Sequence, residues 1–323
     1  MGRSKRTLLL SFLFCAGIMA VGAAEPDPLK LNIMALPGTT GLSLVKVFAD
    51  WPVLGAGVSA EYTVVKSADQ MTAKIVAGEA DIAALPTNTA AILYNKGIGV
   101  KIAAVTNWGV LYVVGRDEAV SSWAALKGRE IGLSGRGATP DILFRRFVAA
   151  NGLDPERDVA VRYFSSPVEL TQVVAAGKLD LAVLPEPWVT EALTREVRLK
   201  VLLDFQAEWR RQEKRRESYP QSCLVVKAAL AGEHPEVVRE FLHLAALSSD
   251  WVNRHPKEAS RLAEEYVQIS AAAAREAIPR CNLRFAEAAS VRDEIDNYLR
   301  RLHGFDPPSV GGKVPDAGFY WQK

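Results

Sequence analysis

Histidine is scarce in this chain. Four occur in 323 residues, His234, His243, His255 and His303, and all fall in the last third. A nucleophile triad or an imidazole metal cluster needs histidines beside the loops that carry ligand-facing groups, and none lies there. Cysteine is equally sparse: Cys15, Cys223 and Cys281 leave room for at most one bridge. An excess of charge of one sign is missing too, with 39 basic residues against 37 acidic ones, so no global field draws the chain to nucleic acid or to a membrane surface. Long apolar runs are confined to one place, residues 8–20.

That run explains itself by its flanks. Arg3, Lys5 and Arg6 precede it, and Gly22, Ala23 and Ala24 follow, the pattern of a secretory signal peptide (residues 1–24) cleaved after Ala24. An uncleaved anchor is the rival reading, but the run is shorter than the roughly 20 apolar residues a spanning helix needs. Cys15 follows Leu13 and Phe14 where a lipidation signal has small residues, which disfavours a lipid anchor. Removing residues 1–24 leaves 36 basic residues against 37 acidic. Cys223 and Cys281 would then sit in a compartment where disulfides persist, and either a bridge between them or two buried thiols fits.

What the sequence does have is alternation. From Leu29 onward short β-rich runs (LKLNIMAL, SAEYTVVK, ADIAAL, VKIAAVTNW) exchange with stretches of helical periodicity, and a second round begins at Arg129 with REIGLSG. This predicts βαβ units on parallel sheets. The two rounds share a phrase: AGEADIAALP at residues 77–86 returns as AGKLDLAVLP at 176–185, a register of 99 residues. Glycine closes a helix, the apolar run is a buried strand and proline stops it. Two α/β lobes follow: residues 25–108 with 218–323, and residues 109–217. Two chain crossings between them make a hinge. C-terminal helices are predicted at residues 235–249, 256–268, 270–277 and 285–303. The basic stretch EWRRQEKRRES, residues 208–218, reads as a solvated helix or loop, or as a contact surface for a partner.

In open parallel sheets ligands bind beyond the carboxyl ends of the strands. Reading each strand to that end gives Gly38, Thr39 and Thr40 after the first, Thr87 and Asn88 after the third, Asn107 and Trp108 at the crossing, and Gly135, Arg136, Gly137, Ala138 and Thr139 in the second lobe. Glu186 and Trp188 follow the repeated phrase. The hydroxyls and Asn88 are helix caps first and ligand contacts second. The glycines around Arg136 let a backbone approach an oxygen-rich group, with residues 135–139 donating N–H groups. Arg136 pairs with an anion or points to solvent, and Trp108 or Trp188 stacks on a planar ligand or packs between lobes. No Gly-Lys-Ser/Thr follows Gly137, so this is not a phosphate-binding P-loop, and Ser134 lacks a nucleophile elbow. No metal, cofactor or catalytic residue is expected, and the site reads as binding without turnover.

The stretches GEADIAALPTNTAAILYNKG, GLSGRGATPDILFRRFVAANGLDPERDV and GKLDLAVLPEPWVTEAL, with IPRCNLRF and PPSVGGKVPDAGFY near the end, resemble the periplasmic solute-binding proteins of ABC importers. The likeness is to the branch of nitrate, sulfonate, taurine and thiamine-precursor binders. It implies the type II two-lobe hinged fold, a monomer exported to the periplasm, and a small solute held between the lobes: an oxoanion, a sulfonate or a pyrimidine-like heteroaromatic. It also implies partners, a membrane permease with its ATPase subunit. Pyrimidine synthases of the same fold use a cysteine-rich motif and a histidine that have no counterpart here. An enzyme on the same scaffold, acting on a pyrimidine-like or chorismate-derived metabolite, is the alternative, and a sensor subunit handing its solute to a receptor is a third reading.

Overall fold

The alternation read from the sequence becomes two open sheets in the computed structural model, which describes residues 28–322. The predicted signal peptide and Cys15 lie outside the described residues. The first round runs β1 (Leu29–Ala35), α1 (Thr39–Leu42), α2 (Val45–Asp50), β2 (Val58–Val64), α3 (Ala68–Val76), β3 (Ile82–Pro86), α4 (Thr87–Asn95) and β4 (Val100–Trp108). The second runs β5 (Leu111–Gly115), β6 (Glu130–Ser134), α5 (Thr139–Ala150), β7 (Ala160–Phe164), α6 (Pro167–Ala175), β8 (Leu181–Pro185), α7 (Trp188–Arg195), β9 (Lys200–Asp204) and α8 (Phe205–Glu213). The chain then continues through β10 (Pro220–Lys227), α9 (Ala228–Glu233), α10 (Pro235–Arg254), α11 (Pro256–Val267), α12 (Ala271–Ala277), β11 (Leu283–Glu287) and α13 (Arg292–Phe305).

The 99-residue register is structural. Ser67 caps α3 by accepting from Gln70 N, and Ser166, 99 residues on, caps α6 by accepting from Glu169 N. Gly78 and Gly177 end those helices at φ of +75° and +74°, a conformation that glycine adopts without a Cβ penalty. Strands β3 and β8 follow, buried on both faces as their unbroken apolar runs require.

Strand order is β11-β4-β10-β3-β1-β2 in one sheet and β7-β6-β8-β5-β9 in the other. Each crossing strand is thus inserted into the sheet it enters: β10 lies antiparallel between β3 and β4, and β5 lies antiparallel between β8 and β9. The sheets are therefore mixed where the sequence predicts parallel pairing, because alternation reports the βαβ units and is silent about strands arriving from the other lobe. The crossings run side by side. A Cβ on Gly109, at φ +57°, would stand 2.4 Å from Ser218 Oγ.

Three sequence expectations are corrected here. Residues 285–303 are not one helix: residues 283–287 form β11, an edge strand antiparallel to β4, and α13 starts at Arg292. Cys223 and Cys281 are free buried thiols and not a disulfide. Cys223 belongs to the core on one face of the first sheet, with Val105 and Val225, and Cys281 to the core on the other, with Leu224 and Ala104. The stretch 208–218 is solvated only in part. Within α8, Trp209 is buried and packs edge-on against Tyr219 and Tyr298, at 5.5 and 5.8 Å between ring centroids, which ties α8, the second crossing and α13 together.

Candidate functional site

The carboxyl ends of β3 and β4 and the amino end of β10 meet around Ser222, whose register partners are Pro86 and Asn107. Four side chains predicted for the site gather here. The Thr40 hydroxyl lies 3.3 Å from the Ser222 hydroxyl, and Asn107 Nδ2 donates to Thr39 Oγ1 at 3.4 Å. Thr87 starts α4 beside them with its hydroxyl buried and unpartnered by hydrogen-bond geometry, and Asn107 Oδ1 is likewise buried without a partner. The Cys223 thiol is pushed up to about 12 by burial, while the Thr87 hydroxyl acts to lower it. A buried polar atom without a partner loses its hydration for nothing in return, at a cost of about 1–3 kcal/mol, and two such atoms flank the amino end of β10 here.

The second lobe closes over this floor. Thr139, at the start of α5, donates its hydroxyl to Asn88 Oδ1 at 2.9 Å, and Asn88 Nδ2 donates to the Ser309 carbonyl at 3.3 Å. The Tyr298 hydroxyl approaches Thr139 Oγ1 at 3.5 Å from α13. Thr39, Thr40, Asn88, Asn107 and Thr139 are all buried in this arrangement. Gly38 faces Trp188 across the gap: a Cβ there would stand 3.8 Å from the indole Nε1.

A charged clasp lies beside it. Glu186, 1% exposed, accepts from Arg280 Nε at 2.7 Å and from the backbone and hydroxyl of Thr190 at 3.1 and 2.8 Å. Arg280 belongs to the first lobe, in the turn before β11, so this ion pair joins the two bodies. Burial pulls the Arg280 pKa down, but the bonded Glu186 carboxylate more than reverses this and raises it. Ser270, capping α12, adds a hydroxyl bond to Glu191 of α7 at 3.0 Å. Tyr112 lies within the field of Glu186 and Arg280, and its phenol is pushed up to about 12 by burial first and then by Asp204 and Glu186.

Other predicted residues stand elsewhere. Trp108 donates Nε1 to the Arg284 carbonyl at 3.0 Å and is capped by the Arg284 guanidinium 4.0 Å from its ring centre, so it packs within the hinge. Arg136 is exposed and lies over the Tyr163 ring at 4.4 Å. The neighbouring backbone donors are occupied: Gly135 N bonds Phe164 O, Ala138 N bonds Gly135 O, and Gly137 N bonds Asp141 Oδ2 at 2.7 Å. Sequence reasoning missed Ser222, Arg280 and Tyr298. All three arrive from the chain after the second crossing, and no local pattern ties them to strand ends read in the first 200 residues. Among the described residues, no group of three or more His, Cys, Asp or Glu is placed to hold a metal ion.

Known proteins match this architecture. An ABC transporter structure from Parabacteroides distasonis is 29% identical, with 92% of this chain and 100% of that one covered at a TM-score of 0.78. The periplasmic aliphatic sulphonate binding protein SsuA of Escherichia coli is 15% identical, covering 92% and 93% at 0.73. The alkanesulfonate-binding protein SsuA of Xanthomonas axonopodis pv. citri, bound to MOPS, is 15% identical, covering 91% and 96% at 0.69. At such identities the two SsuA likenesses show the fold, the two-lobe α/β architecture of type II periplasmic binding proteins. No curated protein matches the chain. The model of the NMT1-like family matches residues 22–269, most of the sequence and both rounds of its repeat, and the chain belongs to that family.

Proposed function

We propose that the chain is the solute-binding subunit of an ABC import system, working outside the cytoplasm as a monomer. It takes a small solute, an oxoanion, a sulfonate or a pyrimidine-like heteroaromatic, between the lobe of residues 25–108 with 218–323 and the lobe of residues 109–217. The observation that carries this is the pair of buried, unpartnered atoms, Thr87 Oγ1 and Asn107 Oδ1, under the interlobe bond from Thr139 to Asn88. Neighbours that are transporter and sulfonate-binding proteins support the same reading.

Mechanism follows from differential binding. A solute that touches Thr39, Thr40, Asn88 and Asn107 from one lobe and Thr139 and Trp188 from the other is held best when the lobes are together, so it shifts the open–closed equilibrium by its difference in affinity for the two states. The hydroxyls and amides supply donors and acceptors in a site that closure dries, where each bond is stronger than in water. Glu186 and Arg280 latch the closed form. The closed form then docks on a membrane permease driven by its ATPase, and the solute leaves unchanged. Thermal-shift screening against nitrate, alkanesulfonates, taurine, carboxylates and pyrimidines tests this. A binder at about 100 times its Kd adds about 2.7 kcal/mol of stability. Turnover of any of these solutes by the purified protein would reverse the assignment to binding.

A further inference from the structure

The basic stretch 208–218 distributes its charges in a way the cleft does not use. Its three carboxylates are all engaged: Glu208 with Arg211 and Asn151, Glu213 with Arg146 and Arg301, and Glu217 with Arg284. Arg210, Lys214, Arg215 and Arg216 remain exposed, and no carboxylate of the described residues lies within ion-pair distance of them. Two of these, Arg210 and Arg216, line a cavity of about 260 Å³ with Arg284, Glu217, Ser218 and Trp108. Three guanidiniums there face one carboxylate. The Ser218 hydroxyl is buried without a partner in the same wall.

The walls come from every part of the hinge. Trp108 ends β4 before the first crossing, Glu217 and Ser218 belong to the second, Arg210 projects from α8, and Arg284 from β11. Guanidinium forks match the oxygens of a phosphate or sulfate two at a time, and an anion held by arginines from α8 and β11 bridges the two lobes. A volume of this size admits a small anion or the end of a small molecule and not a folded partner.

We propose that this cavity binds a doubly charged tetrahedral oxoanion, free or as the terminal group of a small molecule, and that its occupation favours the closed arrangement of the lobes. Arg210 and Arg216 supply the charge, and Arg284, held over Trp108, supplies a third fork. The site is separate from the interlobe cleft and holds whether or not the cleft takes the solutes proposed above.

Calorimetric titration of the full protein with inorganic phosphate and with glycerol phosphate, at low ionic strength and against chloride at matched ionic strength, tests it. Saturable binding is expected, with whichever of the two binds tighter identifying the free anion or the monoester as the source. Arg210→Gln/Arg216→Gln should weaken it by about ten-fold or more, the loss of roughly one charge-assisted bond. Lys66→Gln, which removes an exposed positive charge outside the cavity, should leave it within about two-fold, and Arg216→Lys, which keeps the charge and loses the fork, should fall between. Both arginines are exposed, so these variants keep the fold, which a circular dichroism melt verifies. No saturable binding, or binding that survives the double substitution, or that Lys66→Gln weakens as much, overturns the site. Binding that leaves the radius of gyration unchanged overturns the coupling to closure.

Discussion

Asn88 carries the bond on which closure turns, because its amide joins Thr139 of the other lobe to the Ser309 carbonyl of its own. Asn88→Ala leaves a buried hydroxyl and a buried carbonyl short of a partner, and urea unfolding should register a loss of about 1–2 kcal/mol. Gly109 is constrained from the opposite direction: with φ at +57° and Ser218 Oγ 2.4 Å from any added Cβ, Gly109→Ala has no room and an unfavourable backbone. Its expected cost is more than about 1 kcal/mol in the same measurement. At this scale the sequence spoke for residues whose role is local. Thr39, Thr87, Asn88 and Thr139 could be found by reading strands to their ends, since strand, turn and helix start are contiguous in the chain. Ser222 and Arg280 could not, because what places them is pairing with residues more than 90 positions away.

Among elements, the Glu186–Arg280 ion pair joins the segment before α7 to the turn before β11. Glu186 is fully buried while the Arg280 side chain is 44% exposed, so the two halves of the pair are not equivalent. Arg280→Ala strands a carboxylate in the interior, with Thr190 its remaining donor, and should cost about 3 kcal/mol, the lower end for a broken buried pair. Arg280→Met with Glu186→Gln removes both charges and should cost less than Arg280→Ala alone; a double variant as unstable as the single one would deny that the stranded charge is the cause. The helices and strands of this joint were legible, β8 most clearly from the repeat of residues 77–86 at 176–185. The exchange of β5 and β10 between sheets was not, since a strand arriving from the other lobe has the same apolar run as one arriving from a βαβ unit. Nor was β11, a five-residue edge strand with a register break against β4.

For the molecule as a whole, the buried phenols and thiols set an alkaline limit. Tyr112 and Cys223 are both pushed up to about 12, mainly by burial, and Tyr219, Tyr298 and Cys281 are raised in the same direction by the same cause. Their unfolded values lie near 8.5 for cysteine and 10 for tyrosine. The fold therefore favours the neutral forms: the stability they contribute is fully present below about pH 8.5 and is lost as the pH climbs from there towards about 12, because the unfolded chain releases its protons first. A flat melting temperature between pH 7 and 8 and a steep decline above pH 9 to 10 is the expected profile, followed by differential scanning calorimetry. The central claim is that solute and closure are one event. It is tested most directly by small-angle X-ray scattering on protein freed of ligand by unfolding and refolding, with and without the tightest binder among nitrate, alkanesulfonates, taurine and pyrimidines. The account predicts a smaller radius of gyration at saturation, lost together with binding in Asn88→Ala. A solute that saturates the protein while the radius stays unchanged, or that binds equally well to Asn88→Ala, would contradict it.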